Sequence, residues 1–286
     1  MSTNGSVQVR KLSGGCGAEV LGVDLANLSE ADWQTVRDAY LAHGVIFFRE
    51  QTLSPEDHIA FARRWGTIDI NKFFPADPSH PEIAEVRKEP DQADNIGGGW
   101  HTDHSYDPIP AMGSILVARE LPEEGGDTLF ANMYAAYDAL SAGLKRTLAS
   151  LRAVHSSRHV FGASGAYKQS SDRADTFKNE HLTGDAVHPA VITHPESGRK
   201  ALYVNPAFTV HFEGWTVAES RPLLEYLYRH AARPEHTCRF RWREGSVAFW
   251  DNRCTWHYAL NDYPGERRLL HRITVGGVAL AGAAPA

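Results

Sequence analysis

The chain has 286 residues, 42% hydrophobic and 22% charged, enough for one large core or two small ones. A formal net charge of −6 offers no basic face for nucleic acid, and no apolar run approaches the roughly 20 residues of a membrane span. Cys16, Cys238 and Cys254 are odd in number with no Cys-x-x-Cys spacing, and Met1 to Gly5 opens no signal peptide; a reduced cytoplasm is expected, with neither nucleic acid nor membrane as partner.

Val7 to Leu12 and Ala18 to Leu25 read as two strands joined by Gly14-Gly15-Cys16-Gly17. Ser29 is the N-cap of a helix, with Asp32 in the capping-box position; Trp33, Val36, Tyr40 and Leu41 keep its period until Gly44. Val45-Ile46-Phe47-Phe48 has the pattern of a fully buried strand. Ser54 then caps a second helix with Pro55 in its first turn, running to about Trp65. Ile68 to Asp77 is a loop carrying aromatics, a packed lid or a ligand-facing wall. A strand over Ile83 to Arg87 leads through Glu89-Pro90-Asp91-Gln92-Ala93-Asp94 to Gly97-Gly98-Gly99-Trp100-His101-Thr102-Asp103.

His101-x-Asp103 is the first stretch with chemistry in it. Residues two apart on an extended chain share a face, so an imidazole and a carboxylate can hold one ion. The three glycines before it and Asp107-Pro108-Ile109-Pro110 after it argue against a helix. Alone the motif is weak: 15 His and 35 acidic residues give about two such triplets by chance. His80-Pro81-Glu82, His194-Pro195-Glu196 and His211-Phe212-Glu213 are read as coincidence.

Gly113 to Ala118 is a further strand, and Asp127-Thr128-Leu129-Phe130 extends from the turn at Gly125-Gly126. Met133 to Leu151 is helical by period, and about 156–185 is a polar stretch with little periodicity, expected as a lid-like insertion. Strands return at Ala190 to Thr193 and Lys200 to Val204, a helix at Val217 to about Ala231, then strands at Thr237 to Arg243, Ser246 to Trp250 and Leu269 to Val278. Residues 281–286 form a small-residue tail, expected to be disordered. Many short strands with turns and no linker argue one domain over 1–286, a barrel or sandwich rather than a parallel α/β sheet.

The last third carries Trp250-Asp251-Asn252-Arg253-Cys254-Thr255-Trp256-His257, with Arg268 and Arg272 following. A distal histidine could complete two imidazoles and a carboxylate on one side of a metal, the set used by non-haem Fe(II) oxygenases. An arginine on the next strand would put a fork-shaped cation beside that metal, suited to a carboxylate. His104 and His271 fall at odd offsets and are expected to point away from the metal side. Cys254 reads as a small buried hydrophobe.

These pieces resemble the taurine dioxygenase/2,4-dichlorophenoxyacetate dioxygenase family of Fe(II)- and 2-oxoglutarate-dependent oxygenases, from about residue 10 to 278. Trp100-His101-Thr102-Asp103, Gly125-Gly126-Asp127-Thr128 and Trp250-Asp251-Asn252-Arg253 match as blocks. The resemblance implies a mainly β double-stranded β-helix (jelly roll) with flanking helices. It implies Fe(II) on His101, Asp103 and His257, and 2-oxoglutarate on Arg268 and Thr128, with O2 as the second co-substrate. Arg272 would meet the anionic end of the substrate. Asn71 and Phe74 stand where the taurine branch carries a histidine and a tyrosine, Gly97-Gly98-Gly99 replaces an asparagine, and Phe208 keeps an aromatic. A small organic anion with a sizeable apolar body is therefore expected: an alkyl sulfonate, an alkyl sulfate ester or an aryloxyalkanoate. A homo-oligomer, dimer or tetramer, is expected as well. Taurine oxidation proper is one alternative; a zinc hydrolase on the same three donors is another, and a silent binding protein should have lost a ligand.

Overall fold

The computed structural model describes residues 7–170, 172–173, 177 and 180–283, and everything below concerns those residues. The architecture is mostly β with helices outside it. The largest sheet has eight strands. Gln8–Lys11, Ala18–Leu21, Val45–Phe48, Val247–Asp251, Gly113–Glu120 and Arg268–Val275 follow one another across it. Ile68–Asp69 and Ala84–Lys88 both pair with Arg268–Val275. A three-stranded sheet of Thr237–Phe240, Thr128–Asn132 and Thr255–Ala259 faces the large one.

Alternation along each strand explains how the layers join. Val45, Phe47, Leu116, Ala248, Trp250 and Leu270 project from the large sheet into one core with Phe130, Cys238 and Phe240 of the small one and Trp242 just beyond it. Their neighbours Ile46, Phe48, Ile115, Val117, Phe249 and Ile273 project outward. There the helices Glu30–His43 and Pro55–Arg63 cover them with Val36, Tyr40, Ile59 and Phe61. A sheet covered on both faces gives continuous apolar strands, which is why Val45 to Phe48 read as fully buried; all four are. On Arg268–Val275, Arg268 and Arg272 share parity with Leu270, so both guanidinium groups project into the space between the sheets.

Several expectations need correction. The helix over Met133 to Leu151 is two, Met133–Asp138 and Ala142–Ala149, because Ser141 caps a fresh start by accepting from Leu144 N. Ser29 and Ser54 both cap as expected, each accepting from the backbone N–H three residues on, but only the Ser54 box also has the reciprocal bond from the cap N–H to the Asp57 carboxylate. Five strands carried no readable alternation: Ile68–Asp69, Arg152–Ser156, Asp185–Pro189, Thr209–Phe212 and Thr255–Ala259. Arg152–Ser156 pairs with Asp185–Pro189, so the polar stretch 156–185 is the connection between two bonded strands, its ends pinned together. It holds the short helices Arg158–Phe161 and Ala166–Gln169; six positions expected in it, 171, 174–176 and 178–179, lie outside the described residues. The tail is not free throughout: Ala281–Gly282 pairs with Ile192 and Thr193, and Ala283 is buried. Residues 284–286 lie outside the described residues.

Candidate active site

The first donor is placed by the small sheet. His101 exchanges both backbone hydrogen bonds with His257, at 3.1 and 2.8 Å, and so extends that sheet past Thr255–Ala259. Gly97, at φ +79°, lets the chain turn into this pairing, and its carbonyl accepts from Ala259 N at 3.0 Å; a Cβ there would come 3.2 Å from the His101 ring. The chain is extended only at His101. It leaves the ladder immediately after, into a turn where His104 has φ +58°. The shared-face argument from an extended triplet therefore gave the right convergence on a segment that is a strand for one residue. Thr102, between the two donors, gives its hydroxyl to the Asn252 carbonyl at 2.6 Å, and that bond holds Asp103 where a strand would have.

His101, Asp103 and His257 each turn one ligating atom to a common point, all within 4.8 Å of one another. His101 Nδ1 donates to the Gly99 carbonyl at 2.8 Å, which leaves Nε2 as a lone pair facing the other two donors. Burial lowers the pKa of both imidazoles, His257 also through the neighbouring His101, which favours the neutral rings that metal ligation needs. Burial alone would raise the Asp103 carboxyl; Arg272, then His257 and His101, outweigh it and hold it well below the usual carboxylate range. Ser114 Oγ and Arg272 Nη2 bond Asp103 Oδ2 at 3.1 and 3.0 Å. Two neutral imidazoles and one carboxylate on one side of a point, with a cavity on the other, is a donor set that suits Fe(II).

The cavity measures about 580 Å3 and brings the expected residues together: Asn71, Phe74, Thr128, Phe208, Arg268 and Arg272 all line it beside the three donors. Arg268 is 4% exposed, and its Nε and Nη2 are buried without an acceptor. Burial lowers its pKa, the mark of a charge held out of water. Thr128 Oγ accepts from Trp242 Nε1 at 3.0 Å, which leaves its own hydrogen to give. An ionised guanidinium with orphaned donors beside a free hydroxyl donor fits the distal carboxylate of 2-oxoglutarate. Gly126, at φ +67°, makes room for it, since a Cβ there would lie 3.1 Å from Arg268 Nε.

On the substrate side some roles shift. The Asn71 carboxamide oxygen accepts from Phe73 N and Phe74 N, both at 2.9 Å, so it closes the loop on which Phe74 stands. Phe74 lies against Arg272, with 5.6 Å from ring centre to guanidinium carbon. The loop is a wall. His104 does turn from the donors, its Nδ1 on Asp107 at 2.9 Å, yet it forms part of the cavity lining. His271 projects to the opposite face, against Arg119. Sequence reasoning missed Ser114, Asn95, Tyr106, Phe161 and Tyr167. The last two lie in the stretch without periodicity, where aromatic content was the one available signal. Phe161 stacks on Phe73 at 4.5 Å, and Tyr106 meets Phe208 edge-on at 4.8 Å.

The block Trp250-Asp251-Asn252-Arg253 turns out to be the frame behind the donors. Arg253 binds Asp251 through Nε and Nη2 at 2.8 and 2.6 Å, and His194 Nε2 donates to the same carboxylate at 2.9 Å. All three are buried. Arg253→Met would leave Asp251 charged in the interior without its cation, bonded only by His194 and the backbone N–H of position 253, and is expected to destabilise the fold by about 3–5 kcal/mol. Urea unfolding measures it; a loss below about 1 kcal/mol would contradict this account of the frame.

Comparison with known proteins agrees with this geometry. The family model described as "Taurine catabolism dioxygenase TauD, TfdA family" matches residues 8–274. An alkylsulfatase of Acinetobacter baylyi is 36% identical over 97% of this chain and 87% of its own. An alpha-ketoglutarate-dependent sulfate ester dioxygenase of Pseudomonas putida is 34% identical over 95% and 90%. A crystal structure of a taurine dioxygenase from Burkholderia xenovorans superposes with a TM-score of 0.81 at 37% identity, covering 99% of this chain and 95% of that one. The chain is thus an Fe(II)-dependent dioxygenase that uses 2-oxoglutarate and O2, and it belongs to the TauD/TfdA family.

Proposed function

We propose that His101, Asp103 and His257 hold Fe(II), that Arg268 and Thr128 hold the distal carboxylate of 2-oxoglutarate, and that Arg272 receives the anionic end of an alkyl sulfate ester. The sheets are those of a double-stranded β-helix in this reading. The observation that carries it is the buried Arg268, its Nε and Nη2 without acceptors, opening on the same cavity as the three donors. A zinc hydrolase on those donors would have no use for that cation.

With 2-oxoglutarate and O2, Fe(II) supplies the oxidation that hydroxylates a substrate carbon and releases succinate and CO2. The chain's own residues decide which carbon. Arg272 fixes the anion, Phe74 and Phe208 flank it, and Phe161 and Tyr167 continue the apolar wall to the far side. A chain held by its sulfate against Arg272 presents the carbon bearing the ester oxygen to the donors. Hydroxylated there, it collapses to an aldehyde and sulfate. The curated relatives named for sulfate esters support that class over sulfonates and aryloxyalkanoates.

Taurine fits this cavity poorly. Arg272 would pair its sulfonate as it pairs a sulfate ester, but its ammonium would lose water against the aromatic wall, and a desolvated charge without a partner costs several kcal/mol. An alkyl chain burying roughly 100 Å2 on the aromatic wall gains on the order of 2.5 kcal/mol, nearly two decades in affinity. Hexyl sulfate is expected to exceed taurine in kcat/KM by at least roughly tenfold. Parallel succinate assays test it: taurine as the better substrate overturns this pocket, and a 2-aryloxypropionate ahead of both moves the assignment to the aryloxyalkanoates.

A further inference from the structure

Arg272 touches both halves of the site. Its Nη2 lies 3.0 Å from Asp103 Oδ2, on the carboxylate that belongs to the metal set, while its Nε is buried without an acceptor. Arg272 and Asp103 are 5% and 7% exposed, so water screens their interaction little. Asp103 also accepts from Ser114, which leaves Oδ2 tied twice before any ion arrives.

A divalent ion on His101, Asp103 and His257 has to share Asp103 with this guanidinium, and the two cations repel across a dry gap. An anion docked on the cavity side of Arg272 cancels that repulsion, since the fork offers donors to a second partner while Nη2 stays on Asp103. We propose that Arg272 couples the two sites: an anionic substrate tightens metal binding, and the metal tightens substrate binding by the same factor. Reciprocity is required of any such linkage. The inference rests on the reading that Arg272 receives the substrate anion, and adds that the same residue makes metal retention depend on substrate.

The test uses the full chain with Mn(II), without 2-oxoglutarate, and reads metal affinity by electron paramagnetic resonance rather than turnover. Hexyl sulfate is the anion and hexan-1-ol its uncharged counterpart. Wild-type protein is expected to bind Mn(II) about tenfold tighter with saturating hexyl sulfate, within the usual 5–150-fold range of coupled sites. Hexan-1-ol is expected to leave the affinity unchanged. Arg272→Met is expected to bind Mn(II) tighter than wild type unaided and to lose the response. Arg272→Lys, which keeps the charge without the fork, is expected to keep part of it. Unchanged Mn(II) affinity in wild-type protein that does bind hexyl sulfate overturns the coupling, and so does equal tightening by hexan-1-ol. Arg272→Met that binds hexyl sulfate as tightly as wild type overturns instead the placement of the anion on Arg272.

Discussion

His101→Ala, Asp103→Ala and His257→Ala are each expected to abolish succinate formation. Three donors on one side hold an ion while leaving positions open for a co-substrate and O2. Changes to residues that merely orient ligands cost ~10–100-fold in metal affinity or activity, so loss of a ligand itself should exceed two decades. The three variants should differ in stability. Asp103→Ala leaves the buried Arg272 guanidinium without its carboxylate, at a cost of about 3–5 kcal/mol. His101→Ala and His257→Ala leave no unpaired charge behind. Succinate release and thermal unfolding, measured together, separate a missing ligand from a broken fold. Near-wild-type turnover by any of the three would contradict the donor set.

Arg268→Ala is expected to raise the KM for 2-oxoglutarate by roughly 30-fold or more. Removing one partner of a buried, hydrogen-bonded charge pair costs about 2–5 kcal/mol, and the lower figure alone is some 30-fold. The wild-type guanidinium is already desolvated and its Nε and Nη2 are unspent, so the co-substrate carboxylate meets donors that need no further dehydration. Arg268→Lys keeps the charge and loses the fork, and should fall between. Arg272→Ala is expected to weaken the alkyl sulfate instead, leaving slow 2-oxoglutarate decay uncoupled from product. Steady-state kinetics in both substrates distinguish the two arginines; the reverse pattern would mean their roles are exchanged.

The donors and both arginines were legible because the chemistry demands particular residue types and the family resemblance implies their order along the chain. His101-x-Asp103, Thr128, His257 and Arg268 keep that order, and the structure adds that Arg268 and Arg272 lie on one face of Arg268–Val275. The buried strands were legible as well, since a sheet covered on both faces leaves a continuous apolar run at Val45 to Phe48. Less readable were strands defined by their partners rather than their own pattern. Thr255–Ala259 carries His257, yet its Trp256, Tyr258 and Ala259 follow no alternation, and Arg152–Ser156 is recognisable only through its pairing with Asp185–Pro189. Asn71 illustrates a third limit. Its position, where the taurine branch carries a histidine, suggested a place in the substrate pocket, but two backbone N–H groups of its own loop take its oxygen. Phe161 and Tyr167 reach the cavity from a stretch without period, and only the packed structure brings them there.

The most direct test of the central claim is stoichiometry. Purified protein loaded with Fe(II) is supplied with 2-oxoglutarate, O2 and hexyl sulfate, and O2 uptake, succinate and free sulfate are followed together. One O2 consumed and one succinate formed for each sulfate released, with nothing released when 2-oxoglutarate or iron is withheld, is the expected result. Sulfate released at the same rate without 2-oxoglutarate or O2 would show hydrolysis on these donors and contradict the account.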